Sequence, residues 1–350
     1  MKILYLSCHE TLEFDEMKVL DKLGHTVFSA GHYVDPKNPL HPTREGKLDI
    51  KIDEELLEKF KYYHDYPKYV KQFGNITIKD ILNVYYKRIR PDFIKLFDAV
   101  IIAHFEDNLT LNWEGLKNKP VILRYIGQPQ SHFSPYINKV KKVAYSPTEK
   151  YISRFSKFDA IIRPYVDTDY YNNWNGSGDY VLTINKWMKK RGSHSAWDTY
   201  LNVTSGMNRV VGGFENNDIP FSAGDLSPNE IQTLRQEAGV YFSTCTKPGP
   251  FTYSFMEALS TGIPMVTVGP KIGSVTPNKP TFEAHTFIEN GVSGFWSDDI
   301  RELKDYINLL LKDKELAKQI SKNGREAAIR YFSIDRNMQD WKEILEKINA

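Results

Sequence analysis

Short apolar runs recur along the first half of the chain, each bounded by polar or turn-forming residues. "KILYLS" (2–7), "HTVFSA" (25–30), "FDAVIIAHF" (97–105) and "KPVILRYIG" (119–127) have the length and composition of buried strands. "KKVAYSP" (141–147) and "FDAIIRPYV" (158–166) follow the same pattern, the first more weakly. Between the first two runs, "FDEMKVLDKLG" reads as a helix closed by Gly24 at its C-cap. Residues 53–90 read as mostly helical. Ile78, Ile81, Leu82, Tyr85 and Ile89 recur at helix spacing there, and Asn75 or Thr77 stands upstream as a cap. Strands alternating with helices predict a parallel, doubly wound sheet.

The cluster "YYNNWNGSGD" (170–179) reads as a linker, after which the alternation restarts. "YVLTINK", "RVVGGF", "IPFSAGDL" and "GVYFST" are the next predicted strands, followed by a helix containing Glu257 and then "IPMVTVG". A helical tail closes the chain. Ile300, Leu303, Tyr306, Ile307 and Leu310 make one amphipathic stripe, and "SIDRNMQDWKEILEKI" is a last helix with Ser333 as its N-cap. The expected organisation is an N-terminal domain over 1–169, a second over 170–332, and a C-terminal helix over 333–350 that crosses back to the first. Ligands of such sheets bind beyond the C-terminal ends of the strands, so two in tandem would face one another across a binding cleft.

Composition narrows this picture. The chain has 350 residues, enough for two cores, and its 41% hydrophobic and 26% charged residues suit a globular protein. A net charge of +2 gives no reason to expect DNA as a partner. The two cysteines, Cys8 and Cys245, suit a reducing compartment and do not make a disulfide framework or a cysteine zinc site. The opening "MKILYLSCHETLEFDEM" is too short in its apolar part and too acidic for a signal peptide. No run approaches the roughly 20 apolar residues of a membrane helix, so a cytoplasmic location is expected. "EKFKYYHDYPKYVKQF" (58–73) interleaves cations with aromatics. It reads either as a solvated helix with its rings turned inward or as a peripheral membrane or acceptor face.

Candidate chemistry concentrates in the second half. In "TKPGPFTYSFMEALSTGIPMV" (246–266), Glu257 sits inside an apolar helical run, where a carboxylate is costly unless a protein group or a ligand pairs with it. "KWMKKRG" (186–192) is a cationic loop after a strand. "DTD" (167–169) could hold a metal, but chance carboxylate pairs are common and no metal site is expected. No zinc, hydrolase or P-loop motif is present, and "GGFENN" (212–217) lacks the last glycine of a dinucleotide fingerprint.

Taken together, these motifs resemble the donor-binding half of the retaining, family-4 type of GT-B glycosyltransferases. "LTINKWMKKRG" is similar to that family's strand and cationic loop. "GPFTYSFMEALSTGIPMV" is similar to its Glu-x7-Glu stretch, and "FIENGVSGFW" with "LLLKDKELAKQISKNGREAAIRYFSIDRNMQDW" to its tail. "IIRPYVDTDYY" resembles its interdomain segment. The resemblance is strong over about 160–345 and rests on strand order and "KLGHTV" before that. It implies two Rossmann-like domains and a nucleoside-diphosphate sugar, UDP- or GDP-linked, as co-substrate with no cofactor. Lys186 stands where the family has an Arg, and Arg191 where it has a Lys. Both would neutralise the departing diphosphate, helped by the N–H groups of Phe251, Thr252, Tyr253 and Ser254 at a helix start. Glu257 would accept hydrogen bonds from the ribose hydroxyls. His104, ending "AVIIAH", matches a His frequent in the family.

Two positions depart from the pattern. The first Glu of Glu-x7-Glu, which in the family holds hydroxyls of the transferred sugar, is Gly249 here. The family's N-domain His aligns with Ile126 or Gly127, the nearest imidazole being His132; "CHETLEF" replaces a glycine-rich loop. The expectation is a metal-independent, retaining glycosyltransferase acting on a glycan, lipid-linked or small-molecule acceptor. The alternatives are a non-catalytic nucleotide-binding relative and a transferase acting on a modified DNA base; an NAD oxidoreductase is a distant third.

Overall fold

The computed structural model describes residues 1–7, 9–30, 53–63, 88–130 and 132–349. The chain divides into two compact units: residues 1–147, 155–164 and 337–350 form the first, and 148–154 with 165–336 the second.

The first unit is built on an all-parallel six-stranded sheet in the order β2-β1-β3-β4-β5-β6. The strands are β1 (Lys2–Leu6), β2 (Thr26–Ser29), β3 (Ala99–Ala103), β4 (Val121–Arg124), β5 (Lys141–Ala144) and β6 (Ala160–Ile161). Continuous apolar runs make these strands because both faces are covered: Ile3, Leu4, Ile101, Ile102 and Leu123 are all fully buried. Helix α1 (Glu10–Lys22) starts directly after β1, its first turn capped by His9 Nδ1, which accepts the Leu12 N–H at 3.4 Å. Gly24, at φ +79°, ends it as expected. Helix α2 (Glu54–Tyr63) packs Leu56 and Phe60 inward, and Phe60 meets Phe28 and Phe93 at 5.5 and 5.4 Å between ring centroids. The helix expected on Ile78, Ile81, Leu82 and Tyr85 lies outside the described residues, as does most of the basic-aromatic stretch that follows α2.

A buried ion pair lies under this sheet. Arg124 Nε donates to Glu16 Oε1 at 2.7 Å, Tyr5 Oη donates to Glu16 Oε2 at 2.7 Å, and Arg124 Nη2 reaches the Ile162 carbonyl at 2.6 Å. Burial pushes the Glu16 carboxyl up, and Arg124 and Tyr5 oppose that shift.

The second unit carries a five-stranded parallel sheet in the order β11-β10-β9-β7-β8. Its strands are β7 (Val181–Ile184), β8 (Arg209–Gly212), β9 (Val240–Ser243), β10 (Met265–Val268) and β11 (Phe295–Ser297). Helices α3 (Trp197–Val203), α4 (Pro228–Glu237), α5 (Tyr253–Thr261), α6 (Ile300–Lys312) and α7 (Lys314–Phe332) accompany it. Leu303, Ile307 and Leu310 form the buried stripe of α6, while Ile300 is 39% exposed. Helix α8 (Ile334–Asn349) ends the chain, and Ser333 Oγ accepts the Arg336 N–H at 3.3 Å as its cap. Trp341 of α8 is fully buried, with the Arg124 guanidinium 5.9 Å from its ring.

Two expectations need correction. Residues 219–226 do not form a strand: Pro220 removes a donor, Gly224 turns at φ +77°, and only a single bridge joins Ser222 to Val211. Residues 170–179 are not a free linker. Tyr171 is buried, Trp174 Nε1 donates to the Ala238 carbonyl at 2.7 Å, and the backbone at 174–178 bonds to Thr261, Gln236 and Glu237. Strand β11 and helix α4 were not anticipated, although Ser227 and Glu230 form a full capping box at the start of α4. No helix among the described residues is long and apolar enough to cross a membrane.

Candidate active site

At the C-terminal end of β7 the chain runs through Asn185, Lys186 and Trp187 into a short turn of helix, Met188–Arg191. Trp187 adopts the left-handed conformation, φ +55° and ψ 37°, which costs a residue with a β-carbon about 1–2 kcal/mol. The neighbouring strand end holds it there. The Trp187 N–H donates to the Phe214 carbonyl at 3.2 Å, and the Met188 N–H to Asn216 Oδ1 at 2.8 Å. Asn216 Nδ2 returns to the carbonyls of Asn185 (2.7 Å) and Gly213 (2.9 Å). Gly213, at φ +107°, permits this: a β-carbon on it would lie 2.9 Å from the Asn185 carbonyl oxygen.

Lys186 is exposed and Arg191 is half-buried. Desolvation lowers the Arg191 pKa from its ordinary value, and the side chain donates to the neutral amide oxygen Asn185 Oδ1 at 3.3 Å. Among the described residues no carboxylate forms an ion pair with Lys186, Lys190 or Arg191, whereas Lys189 pairs with Asp218 at 3.3 Å. The strand end therefore carries cationic side chains that no ion pair engages among the described residues.

The loop after β9 is stitched to this cationic turn. Asn185 Nδ2 donates to the Cys245 carbonyl at 3.2 Å, and the Lys247 N–H to the His194 carbonyl at 2.8 Å. Cys245 is buried, its thiol pushed up to about 11 by desolvation, which removes it as a nucleophile. The loop then turns at Gly249, whose N–H bonds to the Thr246 carbonyl at 2.8 Å. A β-carbon at 249 would approach that same oxygen to 2.9 Å, so this loop conformation is incompatible with any side chain there. Phe251 turns its ring inward, 5.6 Å from both Phe287 and Phe332. Helix α5 then begins, with Thr252 as its N-cap: Thr252 Oγ1 accepts the Phe255 N–H at 3.1 Å. Tyr253 and Ser254 supply its first turn, where N–H groups point away from the helix without intrahelical acceptors.

Glu257 lies one turn further on and is 7% exposed. Protein groups account for its burial. Arg235 of α4 donates through Nη2 to Glu257 Oε2, and Tyr171 Oη donates to Oε1 at 3.2 Å. The Arg235 guanidinium also lies 5.2 Å from the Tyr171 ring centroid. Tyr241 borders the same cluster; its hydroxyl accepts the Ile184 N–H at 3.2 Å, and burial pushes its pKa up to about 12. Sequence inspection could not supply Arg235 as the partner, because the pair joins two helices 22 residues apart.

In the first unit, His104 follows β3 in the left-handed conformation at φ +62°, with its ring 4.8 Å from that of Phe105. It is 7% exposed, and desolvation pushes its pKa down to about 4, so it is neutral at physiological pH. Its Nδ1 shares a hydrogen bond with Gln130 Nε2 at 3.0 Å. His132 is exposed and stands 3.5 Å from Asp107. Asp167 spends its carboxylate on a local turn, accepting the N–H groups of Asp169 and Tyr170, each at 3.1 Å. A cavity of about 270 Å³ is bordered by Glu289, Asn323 and Arg330 and by Phe287, whose ring packs against Phe251.

No protein-family model matches the chain, and no curated protein sequence does. Solved structures do. A glycosyltransferase from Rickettsia africae is 17% identical over 100% of this chain and 98% of its own, with a TM-score of 0.64. Sucrose-phosphate synthase from Thermosynechococcus elongatus is 14% identical over 100% and 99%, with a TM-score of 0.61. Anabaena HepE, solved in complex with UDP and glucose, is 14% identical over 99% and 100%, also at 0.61. With two parallel sheets among its described residues and these matches along 99–100% of its length, this chain has the GT-B fold of those glycosyltransferases.

Proposed function

We propose that the protein is a glycosyltransferase that takes a sugar from a nucleoside-diphosphate donor bound at the C-terminal strand ends of the second unit. The observation that carries this reading is the cationic turn after β7, Lys186 and Arg191, which forms no ion pair with a carboxylate among the described residues and is bonded to the loop leading into α5. A diphosphate placed there meets two cations and the first-turn N–H groups of Tyr253 and Ser254. In sugar transfer the glycosidic bond breaks toward the phosphate, so negative charge grows on the leaving group. Fixed positive charge at that point lowers the barrier, and losing one such contact typically costs about 3 kcal/mol. Because side chains supply this charge, the reading needs no metal. Glu257, with its charge balanced by Arg235, is assigned to the ribose hydroxyls; a carboxylate has about four acceptor positions, so protein and ribose can share it. HepE has been crystallised with UDP-glucose as well as with UDP, which makes UDP-glucose the first donor to test.

A second reading is favoured by one feature. Gly249 offers no carboxylate to the transferred sugar, and its loop has no room for one. A protein that binds the nucleotide without transferring the sugar would show this. Release of UDP from UDP-glucose, measured beside UDP affinity, separates the two. Binding with turnover supports the transferase, binding without turnover in the presence of a panel of glycan and lipid-linked acceptors supports the second reading, and absence of binding contradicts both.

A further inference from the structure

Trp187 is the unusual member of the cationic turn. Its indole ring carries three cations: Lys186 Nζ at 4.3 Å from the centroid, Lys190 Nζ at 5.2 Å and the Arg191 guanidinium at 5.8 Å. Three like charges gathered within about 6 Å of one ring repel one another, and the electron-rich indole face is the group that offsets this. Glu215 accepts the indole N–H through Oε2, on the ring's edge, and Glu215 is itself held in the left-handed conformation at φ +60° with its N–H on Asp225 Oδ1 at 3.2 Å. The ring is therefore fixed from two sides: its backbone by the Phe214 carbonyl and its edge by Glu215. Among the described residues none of the three cations forms an ion pair with a carboxylate, and Lys186 and Lys190 are exposed to solvent.

We infer that Trp187 is a positioning residue of the anion site: its indole keeps Lys186 and Arg191 converged while no anion is bound, and yields them to a diphosphate when one arrives. This deepens the donor-site reading and rests on it for the identity of the anion, but the geometry calls only for a diphosphate group. A flexible lysine that must be gathered from solvent loses conformational entropy on binding; one already resting on an aromatic face has lost part of it beforehand. The aromatic face, rather than the bulk of the side chain, is what matters, so phenylalanine should replace tryptophan better than leucine does. Because the cations leave the ring, the indole itself reports the event.

The test measures calorimetric affinity for UDP and for inorganic pyrophosphate in the wild-type protein, Trp187→Phe and Trp187→Leu. Trp187 fluorescence is read alongside as the wild-type minus Trp187→Phe difference, and the melting temperature of each variant is recorded. The expected result is that Trp187→Leu binds either anion about tenfold more weakly while Trp187→Phe stays within about threefold, and that the Trp187 emission changes on saturation with pyrophosphate. Equal affinity of all three proteins, or an emission that does not respond to a bound anion, overturns the inference and leaves the donor site standing. Binding of pyrophosphate with these dependences but no binding of UDP keeps the inference and overturns the nucleotide reading. Absence of binding for both anions overturns both. Loss of affinity that follows the fall in melting temperature equally in the Phe and Leu variants makes Trp187 a packing residue and overturns the inference as well.

Discussion

Glu257 shows how a single residue can be conspicuous in a sequence while its partner is not. An acid inside "FMEALS" announces a pairing, and the structure supplies Arg235 and Tyr171. Breaking a buried pair from one side leaves the other charge stranded, so Glu257→Ala should lose about 3–5 kcal/mol of stability. Replacing Arg235 and Glu257 together with methionine and glutamine should recover part of that loss while leaving UDP affinity weakened. Urea unfolding and UDP calorimetry on the same variants check both halves; full UDP affinity in Glu257→Ala would remove this residue from the donor site. His104 gives a prediction with a defined pH window. Its pKa falls from an ordinary 6.5 to about 4 in the folded protein, so between those values the unfolded chain binds the proton and the folded one does not. Its contribution is intact above pH 6.5 and is lost progressively as the pH falls toward 4, up to about 3 kcal/mol. His104→Gln should flatten that limb of the stability–pH curve, as followed by denaturant midpoints across the range.

At the scale of elements, continuous apolar runs were legible as strands because parallel strands covered on both faces need no alternation. The same rule misled over "IPFSAGDL", where the residues are apolar enough but proline and glycine leave one bridge instead of a ladder. Strand β11 is not legible in the sequence because three residues, Phe295–Ser297, carry too little pattern; β10 pairs with them and thereby defines them. The cationic loop was legible as a charge pattern, but its shape was not. That shape depends on Gly213, which lets the β8 loop approach Asn185 closely enough for Asn216 to hold the turn. Gly213→Ala should therefore cost about 1–3 kcal/mol, through strain at positive φ and the contact with Asn185. A drop in melting temperature with the pyrophosphate affinity reduced in parallel is the expected reading; an unchanged protein would show that the loop relaxes freely.

For the whole molecule, the repetition of two parallel α/β sheets and the resemblance of the second half to GT-B donor domains are legible in the sequence, and the described residues form both sheets. Residues 337–350 belong to the first unit, where Trp341 is fully buried beside the Arg124–Glu16 pair, a contact linking residues more than two hundred positions apart. Trp341→Ala should cost about 3–5 kcal/mol, read as a lower urea midpoint for the first unit's transition; a cost below about 1 kcal/mol would mean that the helix contributes little to that core.

The cationic turn of Lys186 and Arg191 is proposed to bind the diphosphate of a nucleotide sugar. The most direct measurement is the thermal shift of the wild-type protein and of Lys186→Ala/Arg191→Ala against UDP, GDP, ADP and their sugar conjugates. A ligand at a hundred times its dissociation constant stabilises its protein by about 2.7 kcal/mol. For a unit of this size that corresponds to roughly 5–10 °C. Such a shift is expected with one nucleoside diphosphate in the wild type, and its loss in the double variant. No shift with any of them, or an equal shift in both proteins, would contradict it.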